Sequence, residues 1–212
     1  MKKAVFILFF LLLIVGCAPT KIACVGDSIT YGSGIKGRDS LAYPQQMQRM
    51  LGKKYKILNF GVNGATMLKN GNKPYWKQNE YQQALTFKPK IVVLMLGTND
   101  SKPINWDTYK DEFEKDYNEM ISNFQQLKSK PKIYIGLPPP VIKNRWGIQK
   151  EIVEGVLLEI LEKIALENNL EIIDFYSMLK NMNSMIPDNI HPNADGAERM
   201  AVTAVSKILL TI

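Results

Sequence analysis

The sequence predicts an α/β fold: a parallel sheet with helices on both faces. Apolar runs of four to six residues recur along the chain, at Ile22–Val25, Tyr55–Phe60, Ile91–Leu96, Ile133–Gly136 and Leu170–Asp174. They have the length and bounding turn residues of buried strands. Other stretches carry apolar residues every three or four positions, the period of a helix with one buried face. Strands alternating with helices give βαβ units, which require a parallel sheet covered on both sides. At 212 residues the chain suits one domain that buries about 70% of its unfolded surface.

The first segment stands apart from this alternation. Lys2 and Lys3 precede twelve uninterrupted apolar residues, then Gly16 and Cys17. Twelve falls short of the ~20 needed to span a bilayer, and it suits the hydrophobic region of a secretory signal. Residues 1–16 are therefore expected to be a signal peptide and 17–212 a single domain. The residues Ile14-Val15-Gly16-Cys17 resemble a bacterial lipobox, which implies cleavage before Cys17 and acylation of its thiol. The expected product is exported and lipid-anchored in the cell envelope. Ala18 after the Cys resembles lipoproteins sent on to an outer membrane, where the host has one. With Cys17 acylated, Cys24 has no partner and reads as a small buried hydrophobe within the first strand.

Three helices follow from periodicity. The first carries Tyr109, Phe113, Tyr117, Met120, Ile121, Phe124 and Leu127. The second carries Ile152, Val153, Val156, Leu157, Ile160, Leu161 and Ile164. The last carries Ala197, Met200, Ala201, Ala204, Val205, Ile208 and Leu209. Their aromatic and Met members read as core.

In a parallel sheet, ligands bind beyond the carboxyl ends of the strands. The first strand ends in Gly26-Asp27-Ser28. The second ends in Gly61, Asn63 and Gly64, the third in Gly97-Thr98-Asn99-Asp100, and "PDNIHPN", with Asp188 and His191, precedes the last helix. Together these place a hydroxyl, glycine amides, a carboxamide, a carboxylate and an imidazole on one rim.

Acyl transfer uses that set. A serine hydroxyl becomes a nucleophile when a base, usually His, takes its proton. The His in turn needs a carboxylate to fix its tautomer and steady the imidazolium. His191 is the only histidine, and Asp188 lies three residues before it. The oxyanion donors expected are the amides of Ser28 and Gly61 and the side-chain amide of Asn99. A helix beginning at Ser28 would add a favourable dipole.

Gly26-Asp27-Ser28, Gly61, Gly97-x-Asn99 and Asp188-x-x-His191 resemble the four blocks of the SGNH (GDSL) hydrolase family, in order and over nearly the whole mature chain. The resemblance implies a flavodoxin-like three-layer sandwich with a five-stranded sheet. It also implies Ser28 as nucleophile, His191 as base, Asp188 as its partner, and Ser28, Gly61 and Asn99 as the oxyanion hole. Ile29 replaces the Leu of the namesake motif, a conservative change. "GVNGATML" and "LGTNDSKP" resemble bacterial carbohydrate O-acetylesterases, sialate O-acetylesterases among them. The reading is a serine esterase removing acyl groups, chiefly acetyl, from carbohydrates. Two alternatives stay open: a lysophospholipase or thioesterase, and a non-catalytic carbohydrate-binding lipoprotein.

Other chemistries are excluded or unsupported. The net charge is +7, or +5 without Lys2 and Lys3, and fits an anionic envelope surface or acidic substrates. No basic-aromatic interleaving accompanies it, so no nucleic-acid partner is expected. "GSGIKG" (residues 32–37) has the spacing of a dinucleotide fingerprint, but no acidic residue lies between Asp39 and Glu80 to hold a ribose. It reads as a loop beside Ser28. Thr30 stands where the second Gly of an α/β-hydrolase elbow would be. No cofactor and no metal are expected, and the expected form is a monomer. For substrate contacts, Trp76, Arg145 and Trp146 are the candidates: aromatics stack on sugar rings, and an Arg pairs with a sugar carboxylate. Packing of their own loops is the competing role.

Overall fold

The structure is a computed structural model describing residues 18–212. The lipobox and Cys17 lie outside the described residues. The chain runs β1 (Thr20–Gly26), α1 (Ser28–Tyr31), α2 (Arg38–Leu41), α3 (Tyr43–Leu51), β2 (Tyr55–Gly61), α4 (Asn79–Thr86) and β3 (Ile91–Met95). It continues through α5 (Pro103–Tyr109), α6 (Phe113–Gln125), β4 (Lys132–Leu137), α7 (Leu158–Glu167), β5 (Glu171–Asp174), α8 (Phe175–Leu179) and α9 (Ala194–Thr211). All five expected strands are present. The helix expected to start near Ile152 opens instead as a π turn over Ile152–Leu157 before α7.

The strands form one parallel sheet in the order β2-β1-β3-β4-β5. Alternation along the strands assigns the two faces, because successive side chains point to opposite sides. Ala23, Val25, Val92, Leu94, Ile133 and Ile135 share one core with Tyr81 of α4, Phe113, Tyr117, Met120 and Phe124 of α6, and Leu161 and Ile164 of α7. Ile22, Cys24, Ile91, Val93, Met95 and Tyr134 share the other with Tyr43 and Met47 of α3, Phe175 and Leu179 of α8, and Met200, Ala204 and Ile208 of α9. This is the three-layer, flavodoxin-like sandwich. Among the described residues Cys24 has no disulfide partner; it is fully buried, and burial pushes its thiol up to about 12.

The order 2-1-3-4-5 reverses direction between β1 and β3. At such a switch point the connections leave to opposite faces and open a crevice above the carboxyl ends. Gly26 ends β1 in register with Gly61 of β2 and with Met95 of β3. A Cβ on Gly26 would lie 2.2 Å from Thr30 Oγ1, and one on Gly61 2.2 Å from the Tyr31 nitrogen. The paired glycines let the single turn of α1 press directly onto the sheet edge, which fixes Ser28 over the crevice.

Candidate active site

Asp27 leaves β1 and caps α1, its Oδ1 accepting from the Ile29 amide at 2.9 Å. The turn closes at Gly32 (φ +88), where the Gly32 and Ser33 amides both donate to the Ser28 carbonyl. Ser28 is thus the first residue of a one-turn helix. Its own N–H has no acceptor among the described residues, as expected for a helix start. With one turn there is little macrodipole to add up, so the local amide supplies what positive field there is.

His191 arrives from the opposite side, on the loop before α9. Asp188 Oδ1 accepts from the amides of Ile190 (2.9 Å) and His191 (2.7 Å), folding the loop into a tight bend. Ile190 is buried in the core, and Asn193 caps α9 through the Gly196 amide at 3.0 Å. Held at both ends, the imidazole is fixed. Its Nδ1 lies 2.8 Å from Asp188 Oδ2, and its Nε2 lies 2.8 Å from Ser28 Oγ. With Nδ1–H donated to the carboxylate, Nε2 is left to accept from the serine hydroxyl. Burial pushes the Asp188 carboxyl up, but the two amides and the imidazole outweigh this and hold it below the usual carboxylate range.

Two polar anchors from the turn after β3 shape the third side. Asn99 Nδ2 donates to the Ala65 carbonyl at 3.1 Å, leaving its second N–H unspent. Asp100, fully buried, accepts from the amides of Met67 (3.0 Å) and Leu68 (2.7 Å). These bonds tie the loop after β2 to the rim. Burial raises the Asp100 carboxyl to about 7 against the pull of its two amides, and raises Asp27 to about 6. The Oδ2 of Asp27 is buried with no hydrogen-bond partner among the described residues.

Ser28, Ser33, Asn63, Gly64, Asn99, Lys102, Trp146, Ile148 and His191 line a cleft of about 290 Å³. A hydroxyl bonded to an imidazole, beside unspent N–H groups in a partly closed cleft, can attack a carbonyl and hold the resulting oxyanion.

The structure brings together Ser28, His191, Asp188, Asn99 and Trp146. Three sequence expectations are corrected. Gly61 is not placed to hold an oxyanion: its amide donates to Asn59 Oδ1 at 2.9 Å, and the residue lies beneath α1. Gly64, three residues on, lines the cleft, and its amide has no acceptor among the described residues. Trp76 does not face the cleft. Its indole donates to the Met67 carbonyl at 2.6 Å, its ring packs edge-on against Tyr81, and Lys69 lies over it. Arg145 stands behind the cleft wall, stacked on Trp146 and donating to the Asp188 carbonyl at 3.2 Å. Lys102 was not foreseen. It stands two residues after Asp100, with Ser101 between them, and only the fold shows that it lines the cleft with Ser28.

A family model of GDSL-like lipases and acylhydrolases matches residues 24–199. The chain is 39% identical over 199 residues to an acetylxylan esterase of Xylanibacter ruminicola, covering 85% of this chain and 41% of that protein. It is 24% identical over 217 residues to a multidomain esterase of Ruminococcus flavefaciens, covering 85% and 27%. The chain therefore spans less than half the length of these relatives. Among solved structures, a carbohydrate acetylesterase family member from Sinorhizobium meliloti superposes with a TM-score of 0.71 at 20% identity, covering 90% of this chain and 98% of that one. The aryl esterase of M. smegmatis superposes with 0.73 at 17% identity, covering 91% and 100%.

Proposed function

The chain belongs to the GDSL-like lipase/acylhydrolase family, and from that premise we propose that it is a serine esterase releasing acetyl groups from carbohydrate esters, with xylan the foremost candidate. The observation that carries the reading is the unbroken chain of contacts from Asp188 through His191 to Ser28, at 2.8 Å each, opening into the cleft. The likeness to an acetylxylan esterase supports the acyl group and the sugar.

In the proposed reaction Ser28 Oγ attacks the acetyl carbonyl carbon as His191 Nε2 takes the hydroxyl proton. The charge that develops on the carbonyl oxygen is met by the amides of Ser28 and Gly64 and by Asn99 Nδ2. As the intermediate collapses, the proton passes from His191 to the departing sugar oxygen, leaving an acetyl ester on Ser28. Water, deprotonated by His191, then releases acetate and restores the hydroxyl. Asp188 keeps the imidazole in the required tautomer throughout.

The lysine pair, the apolar run and Cys17 support export and lipid attachment of this domain, residues 17–212, to the cell envelope. Acetate release from acetylated xylan, alongside a chain-length series of simple esters, tests the substrate. Acetate should be released, with rates falling beyond short acyl chains. A preference for long chains would point to a lysophospholipase or thioesterase, and no turnover to a binding scaffold.

A further inference from the structure

Among the described residues, Lys102 is the one side chain lining the cleft with a fixed charge; the others are serines, asparagines, Gly64, Ile148, Trp146 and the imidazole. Its backbone is held firmly. Pro103 keeps it extended (φ −63, ψ 139), its amide donates to the Asn99 carbonyl, and its own carbonyl accepts from Asn105 and Trp106 at 2.8 Å. Its stem runs under the turn that carries Trp146, where a Cβ on Gly147 would meet Lys102 Cγ at 3.5 Å. The ammonium has no carboxylate or carbonyl partner among the described residues. Asp100 spends its oxygens on the Met67 and Leu68 amides, and Asp27 accepts from the Ile29 amide through Oδ1; among the described residues neither forms an ion pair with Lys102. Burial lowers the affinity of Lys102 for its proton, while those two carboxylates act the other way.

A half-buried, unpaired cation on a fixed stem beside the nucleophile is suited to receive an anionic group of the substrate. We propose that Lys102 selects acetyl esters on sugars bearing a carboxylate close to the scissile ester. The inference rests on the esterase reading above and narrows its substrate class. Two sources share this chemistry: a uronate branch on a xylan backbone, and the carboxylate of a sialic acid.

The test measures acetate release by the full chain in detergent. Its substrates are neutral acetylated xylo-oligosaccharides, the same oligosaccharides bearing glucuronate, O-acetylated sialic acid, and p-nitrophenyl acetate. The wild type should favour one acidic glycan over the neutral one by about fivefold in kcat/KM, as one partly exposed charge pair gives. Which acidic glycan is favoured names the source. Lys102→Met, which keeps the stem, should remove that preference by raising KM for the favoured acidic glycan, with a smaller change in kcat/KM for the neutral one. Lys102→Arg should retain it. Equal kcat/KM for neutral and acidic glycans in the wild type would overturn the proposal, as would a Lys102→Met loss equal on every substrate. Failure to hydrolyse even p-nitrophenyl acetate would instead overturn the esterase reading.

Discussion

The indole of Trp146 stands over the imidazole of His191, ring centroids 5.5 Å apart and tilted by 42°. The contact is made from the tip of a turn in which Arg145 and Ile148 bridge, and both central residues, Trp146 (φ +51) and Gly147 (φ +81), adopt the left-handed conformation. Glycine takes that conformation without cost, whereas a bulky residue there is strained. The ring is about half exposed and forms the cleft wall on the side of the base.

Function and strain at Trp146 can therefore be separated. Trp146→Ala and Trp146→Gly should both raise KM for acetylated glycan several-fold, since both lose the wall. Only the glycine variant should also be more stable, by about 1 kcal/mol, because it relieves the backbone. Denaturant midpoints beside steady-state kinetics check this. An unchanged KM in both variants would remove Trp146 from the substrate contacts.

The glycine correction predicts opposite outcomes at two positions. Gly61→Ala should fail to fold or lose several kcal/mol, because its Cβ would meet backbone at 2.2 Å. Gly64→Ala meets nothing closer than Lys73 Cδ at 3.8 Å. It should fold, at a cost of about 1 kcal/mol for its φ of +74, and show its effect in kcat. Alanine keeps the backbone N–H at both positions, so circular dichroism reads the packing at Gly61, and kinetics on the folded Gly64 variant read the displacement of its amide.

Asn99→Ala should lower kcat by about 10²–10³ with KM little changed, the signature of a donor used chiefly in the transition state. The variant also loses the bond to Ala65, so its melting temperature is read alongside. A matching fall in stability with full kcat would make Asn99 a loop anchor only.

The buried carboxyl of Asp27 gives a pH signature. Burial raises it to about 6 in the folded chain, above its value of 3.8 when exposed. The folded state then binds its proton more tightly, so this stabilising contribution is complete below about pH 4 and is lost as pH rises through 6. Asp27→Asn keeps an oxygen for the Ile29 amide and removes the charge at the unpartnered Oδ2. It should flatten the stability profile between about pH 4 and 6 and be at least as stable as the wild type at pH 8. A steeper profile in the variant would contradict the assignment.

The five strands and the rim at their carboxyl ends were legible in the sequence because each strand is a short apolar run ending in turn residues. Ser28, Asp188, His191 and Asn99 stand where that pattern puts them. The short helices α2 and α8 were not legible, since four or five residues carry no periodicity. Gly61 and Gly64 could not be told apart in sequence: which amide is free depends on Asn59, whose side chain captures the nearer one. Trp76 and Trp146 look alike as loop aromatics. The bond from the Trp76 indole to the Met67 carbonyl turns it inward, whereas the left-handed turn of Trp146 turns it to the cleft.

The central claim is that His191 activates Ser28 as a nucleophile, and covalent trapping tests it most directly. Incubation with a fluorophosphonate, followed by intact mass and peptide mapping, should give one adduct, on Ser28, and none in His191→Ala at the same exposure. An adduct elsewhere with Ser28 unmodified, or equal labelling without His191, would contradict it.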